Sequence, residues 1–320
     1  AVYGPPPSGT PSVNPFPYAS DNKRYHTYAY FLRQKYGGRV ARVPLDAGFT
    51  CPNRDGTKGV GGCAFCSARG SGDQVAAGDL AAQYAAGIEK LSKWQDARYI
   101  PYLQAFSNTY APVERLRQVY DAALCLPNAV GLAIATRSDC IDEECADLLA
   151  SYAAKTDLTV ELGLQTIHDR TNAALNRAEG FTEFRQAVRL LRARGITAWA
   201  HLIDGLPGET REMMVQSART LGQMDVQGVK IHLMHYLRGT ALAPLHPLAM
   251  TREDYVGVVC DQLEVLPASM VIGRLTGDGP AELLLAPLWS RRKREVLNAI
   301  DQELAHRGSF QGSRFGTSAD

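Results

Sequence analysis

Residues 51–66 read CPNRDGTKGVGGCAFC. Three cysteines, Cys51, Cys63 and Cys66, stand in a stretch whose Pro, Asn, Asp and glycines oppose helix and strand and favour a loop folded around something. Thiolates are the ligands that iron and zinc prefer, and the Cys-x-x-Cys pair Cys63 and Cys66 closes two of them on one site. Their number matters. A structural zinc closes four ligands, whereas a cubane iron–sulfur cluster held by three cysteines keeps one iron open for a substrate or cofactor. The loop therefore reads as a three-thiolate cluster site. A zinc loop borrowing a histidine such as His26, or three unrelated buried thiols, are the alternatives. Cys125, Cys140, Cys145 and Cys260 are not accompanied by further paired thiols and read as core or surface residues.

The run beginning at Arg24, RYHTYAYFLRQKYG and then VPLDAGFTCPNRDGTKGVGGCAFCSARGSGD, resembles the YhcC/YtqA family of radical S-adenosylmethionine (SAM) proteins. That family is related to the elongator catalytic subunit and to oxygen-independent coproporphyrinogen oxidase. The resemblance spans residues 22 to 306 or so. Eleven residues separate Cys51 from Cys63 where radical-SAM proteins usually have three, which matches the longer loop of this subgroup. The resemblance implies a 4Fe-4S cluster on Cys51, Cys63 and Cys66 and SAM as second cofactor. It also implies a reduced flavodoxin or ferredoxin as electron donor.

The elements around the loop alternate. A helix is expected over 25–36 and a strand over 39–45 that delivers the chain into the cysteines. Asp79 caps a helix with Leu80, Tyr84, Ile88 and Leu91 on one face, followed by a strand at 102–106. Pro112 opens a helix to Leu124, and a strand follows at 130–135. Helix 141–153 precedes strand 158–164, helix 182–194 precedes strand 197–203, and helix 209–224 precedes strand 229–233. Thr251 with Asp254 starts a helix ending near Leu266. Six such units require parallel strands with right-handed crossovers, as an open sheet or a barrel. No G-x-G-x-x-G follows the first strand, and the resemblance implies a partial (β/α)6 TIM-like barrel of the radical-SAM type with N- and C-terminal extensions. The expected organisation is a proline-rich arm over 1–21, the barrel over 22–266, a strand and helix extension over 267–307, and a frayed Gly/Ser-rich tail over 308–320.

In either architecture ligands collect where parallel strands end, and polar residues do appear there. Asn108 and Thr109 follow the second strand, where radical-SAM proteins usually hold the SAM amino group on a glycine-rich turn. Thr136 stands where coproporphyrinogen-oxidase relatives place a carboxylate, and Arg137 with Asp139 follows it. Gln165 and Arg177 resemble the SAM-contacting Gln and Arg of that group at the same separation: an amide suited to ribose hydroxyls and a fork suited to a carboxylate. The fifth strand carries His201 near its end and runs into Gly205 and Leu206 of a GLPGET turn, which in relatives supports the adenosine. Lys230, His232 and His235 line up on the sixth strand. Arg274, Thr276 and Asp278 follow in RLTGDGP. Lys230, His232, Arg274 and Asp278 are the candidates for handling substrate, weighed against the ordinary core histidine.

At 320 residues and 45% hydrophobic content, the chain can bury one large core. With 34 Lys and Arg against 33 Asp and Glu, the net charge of +1 gives no global pull toward nucleic acid or membrane. Any polyanion must use a local patch. Arg291, Arg292, Lys293 and Arg294, with Trp289 to stack on a base, could contact tRNA phosphates, although such a run is usually a solvated helix face. No stretch approaches the roughly eighteen consecutive apolar residues of a membrane span. There is no basic-then-apolar leader, and a thiolate cluster needs a reducing compartment, so a cytoplasmic location is expected. The expected activity is reductive cleavage of SAM to a deoxyadenosyl radical, directed by the family's link to wobble-uridine modification toward a tRNA side chain. Radical chemistry on a small metabolite and a non-enzymatic zinc or cluster protein are the alternatives.

Overall fold

The computed structural model describes residues 16, 23–70, 72–73, 75–91, 97–277 and 279–317. Apart from Phe16, the arm expected over 1–21 lies outside them, as does Asp278. The chain opens with α1 (Tyr28–Tyr36), capped by the Thr27 hydroxyl at its start and by Gly37 in the left-handed conformation at its end. It then alternates: β1 (Val40–Leu45), α2 (Leu80–Glu89), β2 (Arg98–Leu103), α3 (Val113–Leu124), β3 (Gly131–Thr136), α4 (Glu143–Ala153), β4 (Asp157–Gln165), α5 (Asp169–Ala174), α6 (Phe181–Ala193), β5 (Thr197–Asp204), α7 (Arg211–Gly222) and β6 (Gly228–Leu233). The remainder is β7 (Tyr236–Leu237), α8 (Arg252–Val265), β8 (Val271–Arg274), β9 (Leu284–Ala286) and α9 (Lys293–His306).

Seven strands form one parallel sheet in the order β1-β2-β3-β4-β5-β6-β8, curled into a half-barrel with helices outside. The six expected strand-helix units are all present. The strand expected within the C-terminal extension is β8, the seventh strand of the same sheet, paired with β6. The second strand starts and ends earlier than its apolar run suggested: it stops at Leu103, and Phe106 turns the chain with φ +60°. The short α5 and the antiparallel pair β7–β9 had no signal strong enough to read.

Period-two alternation explains how one strand serves two layers. Val160, Leu162 and Leu164 of β4 join the helix-side core with Ala198, Ala200 and Leu202 of β5 and Val229, Ile231 and Leu233 of β6. Their neighbours Glu161, Gly163, Gln165, His201, Lys230 and His232 line the concave side. Trp199 is buried near the start of β5. The Arg42 guanidinium lies 4.9 Å from its ring centroid and Tyr28 meets it edge-on. Gly228 and Gly273 stand so close that a Cβ on either would fall 2.3 or 2.4 Å from the ring, so only glycine fits there.

The C-terminal helices are integral. Helix α8 is buried almost all round, from Tyr255 to Val265, between α7 and α9. Residues 308–317 are tied down rather than frayed, because the fully buried Gln311 side chain donates to the carbonyls of Pro267 and Met270 and accepts from the His26 amide. A buried primary amide with three partners has no reason to leave.

Candidate functional site

One cavity of about 420 Å³ opens at the carboxyl edge of the sheet, and Cys51, Cys63 and Cys66 line it together with residues from β2 to β6. The cysteine loop is held in place from two sides. Asn176, in the left-handed conformation, donates to the carbonyls of Val60 and Gly62, Ala64 N–H donates to Leu175, and Asn53 donates to Asn176. Lys58 pairs with Asp139 at 2.9 Å, fastening the loop to the end of β3. A Cβ at Gly59 would sit 2.2 Å from the Asn53 carboxamide, so the loop's glycine is required by this close approach.

Two of the thiols share a hydrogen bond. The hydrogen bond from Cys66, with Arg177 and Arg137 nearby and Asn53 Nδ2 at 3.6 Å from the sulfur, brings Cys63 down to about 5 against its burial. Cys66 is correspondingly pushed up by giving that proton to Cys63 and by burial. Among the described residues, no three His, Cys, Asp or Glu side chains gather closely enough to hold a single metal ion. His26 does not complete a zinc set: its Nδ1 lies 3.2 Å from the Ser269 carbonyl, its ring packs on Tyr30 and Phe31, and it does not line the cavity. Three thiols on one cavity, a sulfur-directed N–H and neighbouring guanidinium groups fit a cluster that carries negative charge.

Beside the thiols stands a buried ionic cradle. Arg177 donates to Glu179 at 2.5 Å and to the Gly163 carbonyl at 2.7 Å, while Arg137 holds Asp139 through two contacts of 2.8 Å. Glu179 accepts the amides of Ser138 and Asp139 as well. Each guanidinium keeps one buried nitrogen without a hydrogen-bond partner: Nη1 of Arg137, which stands 3.8 Å from Glu179, and Nε of Arg177. Unmet donors on the wall of a cavity are suited to a ligand carboxylate. Gln165 faces the same cavity from a bulge in β4, held at φ +66°.

Deeper, the Glu161 carboxylate gathers donors from four other strands. Arg42 of β1 binds one oxygen; Tyr102 of β2 (2.7 Å), His201 of β5 (2.8 Å) and Lys230 of β6 (2.5 Å) bind the other. Burial alone would raise Glu161, but Arg42 and Lys230 hold it well below the usual carboxylate range. Burial brings Lys230 down to about 7, opposed by Glu161 and reinforced by Arg42. Burial lowers His201, and lowers His232 further with help from His201 and Arg274.

Residues 51–221 match the Radical SAM superfamily model, and residues 226–306 match the Radical_SAM C-terminal domain. The chain belongs to the radical-SAM superfamily. It is 48% identical to the uncharacterized protein YtqA of Bacillus subtilis, over 94% of this chain and 96% of that protein, and is a member of the YhcC/YtqA family. In fold it is similar to Elp3 of the archaeon Methanocaldococcus infernus, with a TM-score of 0.63 at 17% identity, covering 86% of this chain and 64% of that one. It is also 26% identical to a tRNA uridine(34) acetyltransferase of Methanocaldococcus infernus, over 49% of this chain and 30% of that protein. The cofactors of this radical-SAM enzyme are accordingly a 4Fe-4S cluster and SAM.

The sequence-derived residues divide around this cavity. Thr136, Arg137, Gln165, Arg177, His201, Lys230, His232 and Arg274 line the cavity with the three cysteines. Asn108 and Thr109 do not: Asn108 donates to the carbonyls of Ala105 and Ala135, and Thr109 bonds the Thr136 hydroxyl and the Cys140 carbonyl, so both brace the turn from beneath. Gly205 and Leu206 also lie off the cavity, Gly205 against Met250 and Leu206 in an apolar cluster with Leu175 and Met234. Trp289 is spent internally, its indole donating to the Met250 carbonyl at 3.0 Å and its ring tilted on Tyr255, which removes it as a base-stacking platform. Arg291, Arg292 and Arg294 are exposed, and Arg292 meets Glu295 at 3.4 Å.

Sequence reasoning passed over Arg42, Tyr102, Glu161 and Glu179. A signal existed for three of the charges at the floor: Arg42 and Lys230 are the only charges in β1 and β6, Glu161 stands in the middle of the apolar run LTVELGL, and buried charges in one sheet must find one another.

Proposed function

We propose that the chain binds SAM between the cysteine loop and the ends of β4 and β5, and acts on a wobble-uridine side chain of tRNA. The observation that carries the SAM reading is the pair of unpartnered guanidinium N–H groups, on Arg137 and Arg177, in a cavity lined by three thiols. Arg177, steadied by Glu179 and the Gly163 carbonyl, would take the SAM carboxylate, and Gln165 the ribose. Bound together, cluster and SAM supply one-electron reductive cleavage to a deoxyadenosyl radical that removes a hydrogen atom from a C–H bond. The protein's own share is to hold the substrate carbon in reach and keep water out.

Likeness to the uridine(34) acetyltransferase and three exposed arginines at the start of α9 support a tRNA substrate. A cavity of this volume is of small-molecule size (about 300–1,000 Å³), so a nucleoside side chain would enter while the rest of the tRNA stays outside. A reduced flavodoxin or ferredoxin would supply the electron, which fits a cytoplasmic setting. Two measurements test the reading. Anaerobically reconstituted protein should form 5'-deoxyadenosine from SAM and dithionite, and Cys63→Ala should abolish it; continued turnover in that variant would remove the cysteine assignment. Nucleosides from tRNA of cells with and without the gene should differ at the wobble uridine, and identical profiles would turn the reading toward a small metabolite.

A further inference from the structure

The floor of the cavity has more hydrogen-bond donors than acceptors. Glu161 is the acceptor for four donors, Arg42 on one oxygen and Tyr102, His201 and Lys230 together on the other. Lys230 has three N–H groups. One goes to Glu161 and one to the Tyr102 hydroxyl at 3.1 Å, which itself donates to Glu161; the third meets no protein partner among the described residues. Its cation also lies 4.2 Å from the Tyr102 ring centroid. Nε2 of His232 is buried and likewise has no partner, and its ring tilts against His201 at 5.2 Å between centroids. Both Lys230 and His232 line the cavity, with His232 two residues, or about 6–7 Å of strand, nearer the edge where the thiols stand. The charges that face this floor are Arg42 from β1, Glu161 from β4, Arg274 from β8 and, beyond His235, Lys293 from α9. Arg42 and Glu161 cancel, which leaves Lys230 as the innermost cation.

We propose that this floor is the substrate-recognition site and that it takes a single carboxylate, held by Lys230 and His232 with the adjoining C–H directed toward the SAM side of the cavity. The proposal rests on the radical-SAM reading only for which side of the cavity SAM occupies. A carboxylate fits better than a phosphate dianion because the floor offers two unmet donors to two oxygens, the third N–H of Lys230 and Nε2 of His232, rather than three. A neutral amide fits worse because it leaves that cation uncompensated. Binding is also linked to a proton. Burial depresses Lys230 toward neutrality, an incoming anion favours its charged form, and affinity therefore falls as pH rises above about 7.

The test uses the cluster-loaded, SAM-bound full chain under anaerobic conditions, with acetate, propionate, inorganic phosphate and acetamide as probes in ligand-observed saturation-transfer NMR. Saturable acetate and propionate binding is expected, weaker phosphate, no competition by acetamide, and at least a tenfold loss between pH 6 and pH 9. Lys230→Met should weaken acetate at least tenfold and His232→Gln by a smaller factor. If Lys230→Met fails to fold, as lost SAM binding and a lost thermal transition would reveal, His232→Gln carries the test because it removes no charge. Acetate that does not saturate, that binds both variants as tightly as wild type, or that phosphate or acetamide outcompetes, would overturn the proposal. Wild-type protein that fails to bind SAM would instead count against the radical-SAM reading, and acetate titration of the SAM-free chain would still decide this one.

Discussion

Nζ of Lys230 lies 2.5 Å from Oε2 of Glu161, and that carboxylate ties strands β1, β2, β5 and β6 to β4 across the concave side of the sheet. A shared buried anion is costly to remove singly, because its partners stay behind as unpaired charges. Glu161→Gln should therefore lower unfolding stability by about 3–5 kcal/mol, measured from the denaturant midpoint. Adding Lys230→Met to it should restore part of the loss, since one of the stranded cations goes with it. Additive losses in the double variant would mean that the two side chains are not coupled.

Glu179 performs the same service for the cavity wall beside the thiols. It fixes Arg177 and approaches Arg137 at 3.8 Å while taking two backbone amides from the turn after β3. Glu179→Gln keeps the shape but loses the charge that aims both guanidinium groups. SAM affinity should fall roughly tenfold, about 1.4 kcal/mol, with the iron content of the reconstituted protein unchanged. Equilibrium binding of SAM to the cluster-loaded protein reads this directly, and unaltered affinity would show that the arginines hold their places without Glu179.

Much of this arrangement was legible in the chain. Strand-helix alternation was carried by apolar runs such as LTVELGL and GVKIHL, long enough to be unmistakable, and the cysteine loop announced itself by thiols among turn residues. What stayed hidden depends on which way a side chain turns. Asn108 looks like a ligand in sequence, but the carbonyls of Ala105 and Ala135 beneath its turn claim both of its N–H groups. Gln311 sits in a Gly/Ser-rich tail, yet carbonyls left over at the start of β8 draw it into the core. Glu161 shows the reverse case, where an isolated charge in an apolar strand was visible but its partners, from 40 to more than 100 residues distant in the chain, could be found only in three dimensions.

Gln165 is held at φ +66° in the β4 bulge, with its side-chain amide folded back over Gly163, where a Cβ would lie 2.8 Å from the amide nitrogen and push it aside. A left-handed conformation costs a non-glycine residue about 1–2 kcal/mol, and at this position the strain places an amide on the cavity wall. Gln165→Gly should raise the thermal midpoint by a few degrees (roughly 1 kcal/mol) while weakening SAM binding. Gln165→Ala should weaken SAM to a similar degree without the gain in stability. A glycine variant that binds SAM as wild type does would remove Gln165 from the site.

Asp204, at the end of β5, is fully enclosed: one carboxylate oxygen accepts from Gln262 at 2.7 Å and the other has no partner. Burial pushes it up to about 7, with the charge of Glu209 adding to the effect and the Gln262 hydrogen bond opposing it. Because the folded value is raised above the unfolded one, the associated stability is fully present below about pH 4 and is lost as pH rises through about 7. Asp204→Asn leaves an acceptor for Gln262 and removes the group that must ionise. The variant should thus gain stability over wild type at pH 8, by ~2–4 kcal/mol, and show little difference at pH 4. Parallel stability curves for the two proteins between pH 4 and pH 8 would mean that Asp204 titrates like an ordinary carboxylate despite its enclosure.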